Sequence, residues 1–170
     1  MANLDKTRTD PAGQVLDELE DVRAGMLGIQ GTDQHMQPMT HFVDRREGCL
    51  YFITSRETDL AKSIVHSATA HYCLVSNDHD YHACMSGEIS IFNDREKLEE
   101  LWSPMMAAWF EGGQDNPNIT MLKMSLNEAS VWASTRNALR FGFEIVRSNV
   151  NEAHTPDIGE HTIVKFREAS

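Results

Sequence analysis

The chain is 170 residues long, 41% hydrophobic, and carries a formal net charge of −11. That is long enough for one domain with its own core, and too acidic to be drawn to a phosphate polymer or an anionic lipid surface. No apolar run approaches the roughly 20 residues of a membrane-spanning helix, and residues 1–10 are polar where a secretory leader needs a basic start and an apolar stretch.

The first element is a helix. Asp10 can cap it, Pro11 fits its first turn, and Val15, Leu16, Leu19 and Val22 recur at helical spacing as far as Gly25. From Met26 the pattern changes to short apolar runs parted by turn chemistry. Residues 26–30, 36–43 and 49–54 read as three antiparallel strands in series, with turns at 31–33 and 44–48. Helical spacing returns over 58–70 through Leu60, Ile64, Val65 and Ala68. A strand at 71–76, a hairpin turn at 77–80 and a long strand at 81–92 come next. Asn93 and Asp94 then cap a helix carrying Leu98, Leu101 and Trp102, and Pro104 opens a second short helix through Met105, Met106, Trp109 and Phe110. A polar loop at 111–118 leads to a strand at 119–126, and an edge strand is expected at 161–166.

This rhythm predicts a single mainly β (α+β) domain over 1–170, an antiparallel barrel with peripheral helices. Its parts are an N-terminal helix at 10–25, the barrel at 26–135 with a helical insert at 94–111, and a C-terminal extension at 136–170. Cys49, Cys73 and Cys84 are an odd number in apolar or strand-like surroundings. They read as reduced, mostly buried thiols, which suits the cytoplasm.

The most informative segment for chemistry is 52–62. A buried strand ends in two hydroxyls, Thr54 and Ser55, and a helix begins soon after, a junction suited to a phosphate, with Lys62 adding a point charge. The alternative is that Thr54 or Ser55 caps the helix and Lys62 is solvated. Trp102 and Trp109, seven residues apart, are expected to share one apolar face and to serve core or dimer packing. His79, His82 and Cys84 invite a metal, but no fourth ligand stands at a suitable spacing. There is no strained Gly-x-Ser-x-Gly turn, Walker loop or dinucleotide glycine fingerprint.

The order of segments resembles that of the flavin-binding split-barrel proteins, the pyridoxamine-phosphate-oxidase-like family, in its general-stress-protein branch. The residues that carry the resemblance are Gln37-Pro38-Met39-Thr40, Phe52-Ile53-Thr54-Ser55 with Lys62 beyond, and Ser86-Gly87. The insert Leu101-Trp102-Ser103-Pro104-Met105 with Ala108-Trp109-Phe110 and Gly112-Gly113 adds to it, as does Val131-Trp132. The resemblance implies an antiparallel split β-barrel, a homodimer, and flavin mononucleotide (FMN) bound near the subunit interface. It places 37–40 beside the flavin ring and phosphate, with Gln37 where the family usually has arginine. That leaves Lys62, Thr54 and Ser55 to hold the phosphate, with Arg56 as a substitute cation. His82 matches a position giving a polar side chain to the flavin. Trp132, with Arg136 or Arg140, matches residues that reach the flavin edge from the partner subunit. Three functions stay open: an FMN-dependent oxidoreductase of unknown substrate, a flavin-binding stress protein without turnover acting as carrier or sensor, and a barrel that has lost FMN.

Overall fold

Asp10 ends one helix and starts the next. Its amide donates to the Lys6 carbonyl and closes α1 (Leu4–Thr9), and its side chain accepts from the Gly13 amide in α2 (Pro11–Asp21). In this computed structural model, which describes residues 2–134 and 159–166, α1 is an element that its polar composition conceals. Leu4 and Thr7 are nonetheless buried, and the Ala2 amide ahead of them donates to the buried Asp80 carboxylate at 2.9 Å. The second helix stops at Asp21, short of Gly25, because Ala24 and Gly25 already pair with Thr40 and Met39.

Among the described residues eight strands form one antiparallel sheet. β1 (Ala24–Ile29) pairs with β2 (Gln37–Thr40) and with β5 (Ser67–Val75), while β3 (Phe42–Asp44) pairs with β4 (Cys49–Ser55). The order across the sheet is β2-β1-β5-β6-β7-β4-β3, with β6 at Tyr81–Ile91, β7 at Ile119–Ser134, and β8 (Gly159–Lys165) on β7. The strand expected at 36–43 is therefore two strands that occupy opposite ends of this path, and only His41 separates them in the chain. A sheet whose end strands are joined by one residue must curl until those ends meet, and the result is the expected split barrel.

His41 is a joint set by its own bonds. Only 7% exposed, it reaches the Leu19 carbonyl through Nε2 at 2.6 Å and the Tyr72 hydroxyl through Nδ1 at 2.6 Å. Tyr72 also donates to the Met39 carbonyl at 2.9 Å. Behind the joint lies the core, where Phe52, Tyr72, Leu27, Leu50, Met85 and Leu122 have no appreciable exposure.

β7 runs well past Leu126, the end expected for it. Its first half pairs with β4 and its second with β8, so the strand forks between two neighbours. The register against β6 slips between Ser86 and Gly87, where Gly87 faces Leu126 and Ser86 faces Glu128. Asn127 is the extra residue of this bulge, and its carbonyl accepts from the Phe166 amide at 2.8 Å. The helix expected over 58–70 shrinks to α3 (Asp59–Ser63), because β5 claims Ala68 against Ile89, and Val65 lies 79% exposed. In the insert, α4 (Arg95–Leu101) is capped by Asp94 as expected, and α5 is confined to Pro104–Ala107.

Candidate functional site

The seam where the curled sheet's ends meet opens as a cleft of about 560 Å³, inside the range of roughly 300–1,000 Å³ usual for small-molecule sites. Pro38, Met39 and Thr40 of β2 and Phe42 of β3 form one side, and Ile53, Thr54 and Ser55 at the end of β4 form the other. Pro38 is tolerated because β2, among the described residues, is an edge strand paired with β1 alone. Two segments far apart in the sequence are thus brought to one opening by the closure at His41.

The helical insert covers this opening from the side. Ser103, Met106, Trp109 and Phe110 contribute to its wall, and Arg23 also lines it. Trp102 and Trp109 do not share a helical face as expected, because the helix breaks between Leu101 and Pro104. Trp102 packs against Phe110 at 6.1 Å between ring centroids. Trp109 stands 81% exposed at the cleft. Its aromatic character was visible in the sequence, but the helix break that turns it outward was not.

The strand-to-helix junction also differs from expectation. Neither Thr54 nor Ser55 caps α3, since Thr58 does so by accepting from the Ala61 amide at 3.2 Å. Ser55 instead organises the loop: its hydroxyl accepts from the Glu57 amide at 3.2 Å and its carbonyl from the Thr58 amide and hydroxyl. The Arg56 amide donates to the Asn118 carbonyl at 2.7 Å. These amides are already satisfied within the protein.

Side chains suited to an anion gather one step further along. Lys62 does not line the main cleft but a smaller recess of about 280 Å³ with Arg56, Asn93 and Thr120. Thr120 sits opposite Thr54 in the β4–β7 register, and its hydroxyl is buried without a hydrogen-bond partner. Lys62 pairs with Glu57 at 2.9 Å, with the two side chains 54% and 67% exposed. An ion pair this open is worth about 0–1 kcal/mol, so Lys62 can leave Glu57 for a stronger anion at little cost.

The remaining expected site residues lie elsewhere. Phe52 has no exposed surface and packs edge-on against Tyr72 at 5.2 Å. Alternation along β4 turns its side chain into the core while Ile53 faces the cleft, so Phe52 backs the cleft wall from behind. Gln37 pairs with Leu27 on the edge strand, half-buried, and does not line the cleft. His82 and Trp132 are direct neighbours across β6 and β7 on the outer face of the sheet. Trp132 stacks on His161 at 4.9 Å, and His161 meets the Ser130 hydroxyl at 2.9 Å. Neither His82 nor Trp132 lines its own chain's cleft. Arg136 and Arg140 lie outside the described residues.

Burial is the main electrostatic influence near the seam. It pushes His41 below its ordinary value, against the opposing pull of the Leu19 carbonyl, and pushes the Tyr72 phenol upward.

An antiparallel split barrel with a cofactor-sized cleft at its seam is the architecture of a known class. The family model for proteins like pyridoxamine 5'-phosphate oxidase matches residues 10–157, and this chain belongs to that family. General stress protein 26 of Bacillus subtilis (strain 168) is 30% identical over 115 residues, covering 65% of this chain and 80% of the relative. A crystal structure from Jannaschia sp. CCS1, provisionally named general stress protein 26, is 34% identical, with a TM-score of 0.78 over 93% of this chain and 99% of the other. The general stress FMN/FAD binding protein of Xanthomonas citri is 31% identical, with a TM-score of 0.65 over 71% of this chain and 86% of its own. Among the described residues no helix is long and apolar enough to cross a membrane.

Proposed function

We propose that this chain is an FMN-binding flavoprotein that works in the cytoplasm as a homodimer and serves as an oxidoreductase for a small-molecule partner. The observation that carries this reading is the seam cleft, which brings Pro38, Met39 and Thr40 together with Ile53, Thr54 and Ser55. Its walls suit the two ends of such a ligand. Met39, Phe42, Ile53 and Trp109 offer apolar and aromatic surface to a flat ring. Beyond Ser55, the recess with Arg56, Lys62 and the unpartnered Thr120 hydroxyl offers two cations and a donor to a phosphate. FMN would supply hydride or single-electron transfer when bound. The protein's part is to hold the ligand between the two edges of the sheet and exclude water with the insert. His82 and Trp132, on the outer face, are available to the cleft of a second copy.

The visible spectrum of the purified protein tests the cofactor. Flavin bands are expected, and bleaching by a candidate reductant separates an enzyme from a carrier or sensor. A colourless protein that stays so after incubation with excess FMN would mean a barrel that has lost its flavin.

A second test addresses the phosphate. Charge-assisted hydrogen bonds contribute about 1.5–3 kcal/mol each, so Lys62→Ala should weaken FMN about ten- to a hundredfold and leave riboflavin, which lacks the phosphate, almost unaffected. Equal losses for both ligands would remove Lys62 from phosphate recognition.

A further inference from the structure

Cys73 and Cys84 face each other across β5 and β6. The phase of that pairing follows from the hairpin, whose last bond runs from the Ser76 amide to the Tyr81 carbonyl at 2.8 Å. Opposed residues in an antiparallel pair alternate between hydrogen-bonded and non-bonded positions. Stepping inward from the bonded Ser76–Tyr81 position, Val75–His82 is non-bonded, Leu74–Ala83 bonded, and Cys73–Cys84 non-bonded. Non-bonded pairs hold their Cα atoms about 4.5 Å apart with side chains close, within the roughly 4.4–6.8 Å that a disulfide spans. Leu74 and Ala83 are buried in the core, so the two thiols lie on the opposite, outer face, and both are free and half-buried. Neither lines the cleft.

We propose that Cys73 and Cys84 are a redox pair, joined by hydrogen peroxide into a reversible cross-strand disulfide within one chain. Burial pushes the Cys73 thiol up, and the neighbouring Cys84 thiol adds to the shift. Either thiol of the opposed pair can react first. With Cys84 leading, its thiol gives up its proton and its sulfur attacks one peroxide oxygen. The O–O bond breaks, and the departing hydroxide takes the proton and leaves as water, with sulfenic acid at Cys84. The Cys73 sulfur then attacks that sulfur and loses its own proton, and the sulfenic hydroxyl leaves as the second water. Two thiols are oxidised, one peroxide is reduced, and a thiol reductant reverses the change. Fully buried Cys49 has no cysteine opposite it, since it pairs with Ser125.

The proposal goes beyond the flavin reading, and its test is independent of cofactor. The purified protein in its native assembly is treated with hydrogen peroxide, then blocked with an alkylating agent and weighed intact. Wild type and Cys49→Ser should lose two hydrogens, regain them with dithiothreitol, and yield a peptide link between Cys73 and Cys84. Cys73→Ser and Cys84→Ser should each form no link and instead stop at a sulfenic acid that dimedone traps on the remaining cysteine of the pair, and circular dichroism confirms that each variant is folded. A disulfide between two chains on a non-reducing gel, or overoxidation of wild type without a link, would overturn the proposal. Thiols that resist both peroxide and diamide in the folded protein would overturn it too.

Discussion

At the scale of single residues, His41 connects a hydrogen-bond network to the shape of the site. Burial lowers its pKa, so the folded chain takes up a proton there less readily than the unfolded chain does. Its folded pKa is depressed, so its contribution to stability is complete above the ordinary histidine value of about 6.5 and is lost as pH falls through the folded value. The urea midpoint should therefore drop between about pH 7.5 and pH 5.5, and by less in His41→Gln. Parallel pH profiles for the two proteins would show that the drop belongs to other groups. Asp80 is a second case. Its buried carboxylate accepts from the Ala2 amide and from the Ser76 hydroxyl at 3.1 Å, tying the amino-terminal segment to the β5–β6 turn. Asp80→Ala leaves both donors buried without an acceptor and should cost about 1–3 kcal/mol in denaturant unfolding. Nothing in the sequence marks Asp80 apart from other turn aspartates, because its partner is 78 residues away.

At the scale of elements, what local chemistry dictates was legible, and what distant pairing dictates was not. The Asp10–Pro11 helix start, the Asp94 cap and the 77–80 turn each follow from neighbouring residues and stand as expected. Residues 58–70 were misjudged because Leu60, Ile64, Val65 and Ala68 keep helical spacing, while pairing with β6 draws everything from Ser67 onward into a strand. Pairing of that kind overrides local propensity. The early end placed at Leu126 has a similar origin: Asn127 and Glu128 read as loop, but a bulge takes up Asn127 and the strand continues. Gly87 makes this bulge possible. A Cβ there would lie 2.1 Å from the Ser125 carbonyl oxygen, and backbone cannot swing aside as a side chain does. Gly87→Ala is expected to cost about 1–3 kcal/mol as an overpacked substitution, whereas Gly48→Ala meets open space and only the strain of its positive φ of 61°. Equal thermal midpoints for these two variants would show that the bulge yields more easily than the geometry implies.

At the scale of the whole molecule, the cleft segments at 38–40 and 53–55 stood out in the sequence by resemblance. Trp109 and Phe110 carried the resemblance without being read as cleft residues, and Phe42 and Met106 stood out in neither way, since all four reach the cleft only through the curl of the sheet and the break in the insert. The same view bears on assembly. Trp132 and Ile163 are 47% and 62% exposed on the outer face of β7 and β8, and Trp109 projects at the cleft. That much apolar surface on a chain of net charge −11 suits a second copy meeting neutral faces. Sedimentation at micromolar concentration should give a dimer. A monomer at that concentration would remove the partner from the proposed flavin site.

The seam at which the barrel ends meet also bears on how the protein breathes. Among the described residues β2 and β3 each pair with one strand, and no ladder joins them to each other. A ligand seated between their ends would thus act as a non-covalent clasp, coupling two margins that otherwise communicate through the His41 joint. Opening of this seam is expected to be the lowest-energy local excursion of the sheet, and a bound ligand should suppress it by the ordinary linkage of binding to the closed form. Amide exchange would show this as protection gained by the outward amides of β2 and β3 on ligand addition, with the central strands β5, β6 and β7 unchanged.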